Sequence, residues 1–257
     1  GGGELMCEIL EYIDFGQLKR LPPKWFMGYS DNTNLIFLLA TLTDTAAIYG
    51  PNVGAFGMEP WHASIQDAYE LLQGKKFEMQ NYPMWEKESL KDEQHPLAAY
   101  HVTEPFLLHT NKKEGESFKI EGRLLGGCLD CLSHLRGTKF DKVKEFNQKY
   151  EDDGILWFLE SCDLNVFEMR RTLWSLKQAG WFDTCRGFLI GRPGVQGQII
   201  AGLDQYEAVL SILSEFDVPI FMDLDIGHVA PMMPLICGSY GKVTVVGNDC
   251  CIAMSLQ

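Results

Sequence analysis

The sequence predicts an α/β protein of two domains with largely parallel sheets, its active site lying in the cleft between them. Three observations carry that expectation. Short apolar runs alternate with amphipathic stretches along the chain, the pattern of strands linked by helices. Several of these runs end in a polar residue followed by a turn, as strands do beside a ligand cleft. The length of 257 residues allows two modest domains, and 46% hydrophobic against 22% charged residues is the mixture of a folded protein with a sizeable core.

Taken in order, Leu5, Ile9, Leu10 and Ile13 recur at helical spacing and predict a helix over 4–13. Pro22-Pro23 ends the connection, and 24–28 predicts a short strand around Trp25-Phe26-Met27 that stops at Gly28-Tyr29-Ser30-Asp31. A helix over 35–42 follows at once, with Asn32 or Thr33 as its cap. Residues 46–49 predict a second strand closed by Gly50-Pro51-Asn52, and 61–73 a helix stopped at Gly74. The stretch 75–122 is polar and irregular, with prolines and a charge-rich segment at 86–93, and reads as solvated loop or interdomain link. From Gly122 the alternation resumes. Strands are expected at 124–127, 155–159, 187–191, 219–223 and 242–246, and helices at 129–135, 167–179 and 206–215. The domains expected are 1–100, with an insert from about 75, and 101–257.

Lys and Arg number 22 against 35 Asp and Glu, a net charge of −13. That field repels polyanions, so neither nucleic acid polymers nor anionic membrane surfaces are expected partners. The apolar run at 35–40 falls far short of the roughly 20 residues that span a bilayer. Eight cysteines in apolar surroundings suit reduced thiols in a cytoplasmic protein. Cys128 and Cys131 have C-x2-C spacing but no second pair downstream, and adjacent Cys250 and Cys251 point opposite ways in a strand, so structural zinc is not expected. The chain opens Gly1-Gly2-Gly3-Glu4, with neither initiator Met nor signal peptide, and is expected to begin partway through a domain.

Three polar residues stand at expected strand ends: Ser30, Glu160 and His228. A serine needs a base to become a nucleophile, and a histidine base needs an acceptor to fix its tautomer. The strand–turn–helix at Gly28-Tyr29-Ser30-Asp31 would expose the hydroxyl and aim the Asp31 N–H at a developing oxyanion. Each residue also has a plainer reading: Ser30 as a helix cap, Glu160 as a solvated strand end, His228 as a loop histidine. A rival chemistry is a hard-cation site from Asp223, Asp225 and His228 joined by Glu160 or Asp163, without any paired-His signature to support it. A non-enzymatic binding module is the other rival.

The residues then resemble a family. Pro23 to Thr33 looks like the nucleophile segment of the LD-carboxypeptidases, serine peptidases of family S66, and Tyr49-Gly50-Pro51 like the strand end that follows it. Gly122 to Leu129 resembles the family's Gly-Gly-Asn-Leu element with Cys128 replacing the usual Asn. Gly137-Thr138 and Gly154 to Glu160 look like the segment bearing its Glu, and Gly227-His228 with Pro234-Leu235 like the segment bearing its His. The resemblance implies Ser30 as nucleophile, His228 as base and then acid, and Glu160 as orienting carboxylate, with no metal or organic cofactor. It also implies a Gly-Gly turn supplying an oxyanion N–H, which falls on Gly1–Gly3 with Gly2 as donor. Two branches follow from it. Murein LD-carboxypeptidases remove a terminal D-alanine from muropeptide tetrapeptides, whereas relatives of the microcin C self-immunity protein cleave the amide of an acidic aminoacyl-nucleotide. The long insert favours the second branch, with Trp85 either a platform for the base or a residue that packs the insert onto the domain or a dimer partner, and a homodimer acting on a small peptide or aminoacyl-nucleotide is expected.

Overall fold

The computed structural model describes residues 3–112 and 116–256. The helix expected over 4–13 is broken. α1 (Met6–Ile9) gives way to a 3-10 turn at Leu10–Tyr12, and α2 (Phe15–Leu18) starts afresh where the Asp14 carboxylate accepts the Gln17 N–H at 2.8 Å. Leu10 is the one buried residue of that stretch, too little packing to sustain a longer helix. β1 (Met27–Gly28), α3 (Thr33–Thr43), β2 (Ala47–Tyr49) and α4 (Ala63–Leu72) follow the expected order.

The stretch expected to be loop carries four short strands: β3 (Glu78–Gln80), β4 (Met84–Trp85), β5 (Glu104–Pro105) and β6 (His109–Thr110). Two or three residues are too few to show an alternating pattern, which is why they escape the sequence. β7 (Ser117–Cys128) is far longer than expected because its first half alternates exposed and half-buried residues and only its second half is apolar and buried. α5 (Leu129–Leu135), α6 (Val143–Lys149), β8 (Ile155–Glu160), α7 (Val166–Gln178), β9 (Cys185–Gly191), α8 (Gln205–Leu213) and β10 (Ile220–Leu224) complete the alternation. The chain ends in β11 (Leu235–Cys237), β12 (Tyr240–Val246) and β13 (Asp249–Ser255).

Two sheets carry the site. The smaller has the order β1-β2-β11, with β1 and β2 parallel and β11 antiparallel to β2. The larger runs β3-β13-β12-β7-β8-β9-β10-β6. Its centre, β7 to β10, is parallel, and its flanks are antiparallel. Burial explains the division. Every residue of β8 and β10 is buried, as helices on both faces require, whereas β12 and β13 alternate buried and more open positions like strands with one wet face.

Helix α3 binds the two sheets together. Phe37 stacks on Trp181 at 5.2 Å between ring centroids, and Trp181 stacks on Trp157 of β8 at 5.9 Å. The first residue of α3 sits on the end of β7, where Thr33 Oγ1 accepts the Cys128 N–H at 3.1 Å. Gly127, at φ +143°, permits that approach: a Cβ there would lie 2.6 Å from Thr33 Cγ2. Because Phe37 is fully enclosed by this aromatic stack, Phe37→Ala should destabilise the fold by about 3–5 kcal/mol. Chemical denaturation followed by tryptophan fluorescence reads that loss, and an unchanged midpoint would show that α3 is not anchored here.

Candidate active site

The turn after β1 puts Ser30 at φ +57°, a left-handed conformation rare for a side chain with Cβ and the sharp strand-to-helix bend that exposes a hydroxyl. Parallel pairing of Gly28 with Tyr49 then sets the next contact: Tyr49 Oη accepts the Ser30 N–H at 3.4 Å. The same hydroxyl donates to Glu160 Oε1. Burial, then the charge of Glu160, hold the Tyr49 phenol well above its usual range, so it keeps the proton it donates.

Glu160 ends β8 and is fully buried, and its other oxygen, Oε2, lies 2.9 Å from His228 Nδ1. His228 follows β10 and is reached through Gly227, at φ +101°. A Cβ on Gly227 would fall 2.4 Å from the carboxyl group of Glu160, so only glycine lets the loop close over that carboxylate. Tyr29 meets the imidazole edge-on at 4.9 Å between centroids. Burial alone would disfavour the imidazolium, but hydrogen bonds to Cys162 and Glu160 and their charge outweigh it and hold His228 above its ordinary range.

Ser30 and His228 line one cavity of about 580 Å³, together with Gly3, Asn52, Cys128 and Cys162. Residues before 53 form one wall and residues 128–228 the other. Asp31 is tied to the first wall, its carboxylate accepting the Met6 N–H at 3.0 Å and the Asn34 amide at 3.0 Å. Gly3 lies against that carboxylate, with room for no Cβ, while Gly2 lies outside the described residues. Asp130 clamps the loop after Glu160, accepting the N–H groups of Cys162 and Asp163 at 3.1 and 2.9 Å.

Trp85, the expected stacking platform, does not join this cavity. Its Nε1 donates to the Pro105 carbonyl at 3.1 Å, and the Arg192 guanidinium covers its ring at 5.2 Å. It lines a separate cleft with Lys87 and Tyr206. The carboxylates of the rival cation site are engaged elsewhere as well. Asp223 accepts from Gln205 and Tyr206 and pairs with His109 at 2.7 Å, and Asp225 pairs with the buried Arg192 at 2.6 Å. Burial pushes Asp225 up to about 6 in spite of Arg192. Anchored also by the Tyr82 N–H at 2.8 Å, Asp225 holds the base of the loop that presents His228.

Sequence reasoning missed the linking role of Tyr49 and the clamp at Asp130. A tyrosine closing a buried strand and an aspartate just after Gly-Gly-Cys-Leu were the available signals.

Comparison with known proteins agrees with this architecture. Residues 1–50 match the LD-carboxypeptidase N-terminal domain, and residues 121–243 match the LD-carboxypeptidase C-terminal domain. A putative carboxypeptidase of Treponema pallidum is 27% identical over 268 residues, covering 100% of this chain and 71% of the relative. The microcin C7 self-immunity protein MccF of Escherichia coli is 25% identical over 241 residues, covering 92% of this chain and 67% of that protein. The crystal structure of an MccF-like protein from Streptococcus pneumoniae in complex with AMP superposes with a TM-score of 0.75 at 22% identity, covering 99% of this chain and 76% of the other. No helix among the described residues is long and apolar enough to cross a membrane. With both of its domain profiles found in order along one sequence, the chain belongs to the LD-carboxypeptidase family.

Proposed function

We propose that this protein is a serine hydrolase that cleaves the amide of an acidic aminoacyl-nucleotide through Ser30, His228 and Glu160. The observation that carries the reading is the 2.9 Å contact between His228 Nδ1 and a buried Glu160, in a cavity shared with a serine on a left-handed turn. Residues 1–100, with the insert from about 75, supply the nucleophile, and 101–257 supply the base and its carboxylate. In the first step neutral His228 takes the Ser30 proton as Oγ attacks the carbonyl, and the Asp31 N–H receives the developing oxyanion. His228 then returns the proton to the leaving amine, and water activated by the same imidazole releases the acyl group. Glu160 holds the histidine in its productive tautomer, and the Tyr49 proton on Oε1 leaves Oε2 to accept from Nδ1.

The substrate class rests on relatives: one is a microcin C7 self-immunity protein and another was solved with AMP. Among the described residues no Lys or Arg lines the cavity, so neutral donors such as the Asn52 amide and the His134 imidazole would read an acidic acyl group. The protein is taken to work in the cytoplasm as a homodimer.

The deciding experiment offers a glutamyl-sulfamoyl adenosine and a muropeptide tetrapeptide in parallel and follows both by mass spectrometry. Cleavage of the nucleoside amide with a pre-steady-state burst, lost about a thousandfold or more in Ser30→Ala, is the expected result. Cleavage of the tetrapeptide alone assigns the murein carboxypeptidase branch instead, and undiminished turnover in Ser30→Ala sinks the serine mechanism.

Two further outcomes follow from the geometry. Since His228 must be neutral to act as base and is held above its ordinary range, the acidic limb of kcat/KM should lie above the usual histidine value of about 6.5. Removing the charge in Glu160→Gln should move that limb down; a limb that stays put would mean another group titrates. Tyr49→Phe leaves a buried carboxylate oxygen and the Ser30 N–H without their partner, which costs about 1–3 kcal/mol. That cost falls on the fold; Ser30 and Glu160, held less firmly, should lower kcat with KM nearly unchanged, and a rise in KM alone would place Tyr49 in substrate binding.

A further inference from the structure

Cys128 lines the cavity of Ser30 and His228, and the fold brings it to Glu160 and His228. Cys128 ends β7 directly beside Glu160 at the end of β8, the two being register partners across a parallel pairing. One ligand atom each from Cys128, Glu160 and His228 lies within 4.8 Å of the other two. Thiolate, imidazole and carboxylate are the three donor types that zinc takes, and a three-residue set leaves a fourth position open. Ligand atoms on a tetrahedral zinc lie about 3.6 Å apart, from bond lengths of about 2.3 Å to sulfur and about 2.1 Å to nitrogen or oxygen. No pair would close by more than about 1.2 Å, and His228 Nδ1 and Glu160 Oε2, 2.9 Å apart, would open by about half an ångström, shifts within reach of side-chain rotation. Cys128 and Glu160 are almost wholly enclosed, but His228 is partly open to the cavity, so the ion has a route in past the imidazole.

We propose that Cys128, Glu160 and His228 form a reversible zinc-binding site that switches the hydrolase off. Zinc replaces the Cys128 thiol proton, which leaves to solvent, and takes a lone pair of Glu160 and that of His228 Nδ1, whose proton shifts to Nε2 and removes the lone pair the reaction needs. With the imidazole on the metal, Ser30 has no base. Soft thiolate with imidazole selects zinc over magnesium or calcium, which prefer oxygen donors alone. The inhibitory effect rests on the serine hydrolase reading; binding of the ion does not, and the two are measured separately.

Binding is read on the full chain with Co2+ as spectroscopic probe and with Zn2+ in competition against a chromophoric chelator. One ion per chain and a near-ultraviolet thiolate-to-cobalt charge-transfer band are expected. In Cys128→Ser and in Cys128→Asn the band should vanish and zinc affinity fall by more than the roughly 10–100-fold that losing a mere hydrogen-bond partner of a ligand costs. Cys162→Ser, altered at the neighbouring thiol that contacts His228, should keep the band. Matching near-ultraviolet circular dichroism of the metal-free variants checks that they fold. In the activity arm, one equivalent of Zn2+ should abolish turnover of the wild type, a chelator should restore it, and Cys128→Asn should turn over in the presence of zinc. Failure to bind Co2+ or Zn2+, a band that survives in Cys128→Ser, or a band lost in Cys162→Ser overturns the site. A bound, band-positive protein whose turnover is unaffected by zinc overturns the switch alone. Absence of turnover in the metal-free wild type instead counts against the hydrolase reading and leaves the binding result standing.

Discussion

The hydrogen bond between buried Glu160 and His228 is the constraint around which the rest of the molecule is arranged. A carboxylate with almost no solvent costs several kcal/mol unless its oxygens are satisfied, and this one is met on both. Tyr49 serves Oε1 from β2 and His228 serves Oε2 from the loop after β10. Tyr49 lies on the small sheet and Glu160 on the large one, so the hydrogen bond joins the sheets at the place where chemistry is proposed. Gly227 is the steric counterpart of the same constraint, since any side chain there would occupy the space of the carboxyl group.

Around that pair the polar residues have divided tasks. Asp31, Asp130 and Asp225 each use their carboxylates on backbone N–H groups or, for Asp225, on a buried arginine, and thereby fix the segments on which Ser30, Glu160 and His228 stand. Removing one partner of the Arg192–Asp225 pair would strand a buried charge, which makes the pair a positional device rather than a source of net stability. The acidic balance of the chain is thus partly invested in holding its own backbone, beside its effect on polyanions. Cys128 stands in the same ring of residues, its thiol 3.3 Å from Asp130 Oδ2, and offers a soft donor instead of a backbone acceptor.

Much of this was readable along the chain, and for a definite reason. Ser30, Glu160 and His228 each terminate a local pattern, and such patterns depend on neighbours within a few residues: Trp25 to Gly28 before the turn, Ile155 to Leu159 before the glutamate, Gly227 before the histidine. The helices at 129–135, 167–179 and 206–215 emerge within a few residues of their expected bounds because their apolar faces repeat over whole turns. The small strands between 78 and 110 could not be seen, since β3 and β6 acquire their structure from β13 and β10, far away in sequence, and β4 and β5 are two residues each, paired only with one another. The helix expected over 4–13 fails in the converse way, its periodicity being present without a surface to bury it.

By itself, then, the sequence determined the α/β alternation, the three residues at strand ends, the glycine that precedes the histidine and the cysteine that follows Gly126-Gly127. Those are properties of short segments, set by periodicity and by the conformations each residue type tolerates. Only the tertiary structure decided that Tyr49 bridges Ser30 and Glu160, that Trp85 is covered by Arg192 outside the cavity, and that Cys128 stands beside Glu160 and His228. These depend on strand register and on packing between residues up to 111 positions apart, as for Tyr49 and Glu160. Register is a choice among pairings of similar local quality, made by the whole core at once, and it leaves no mark in any one segment.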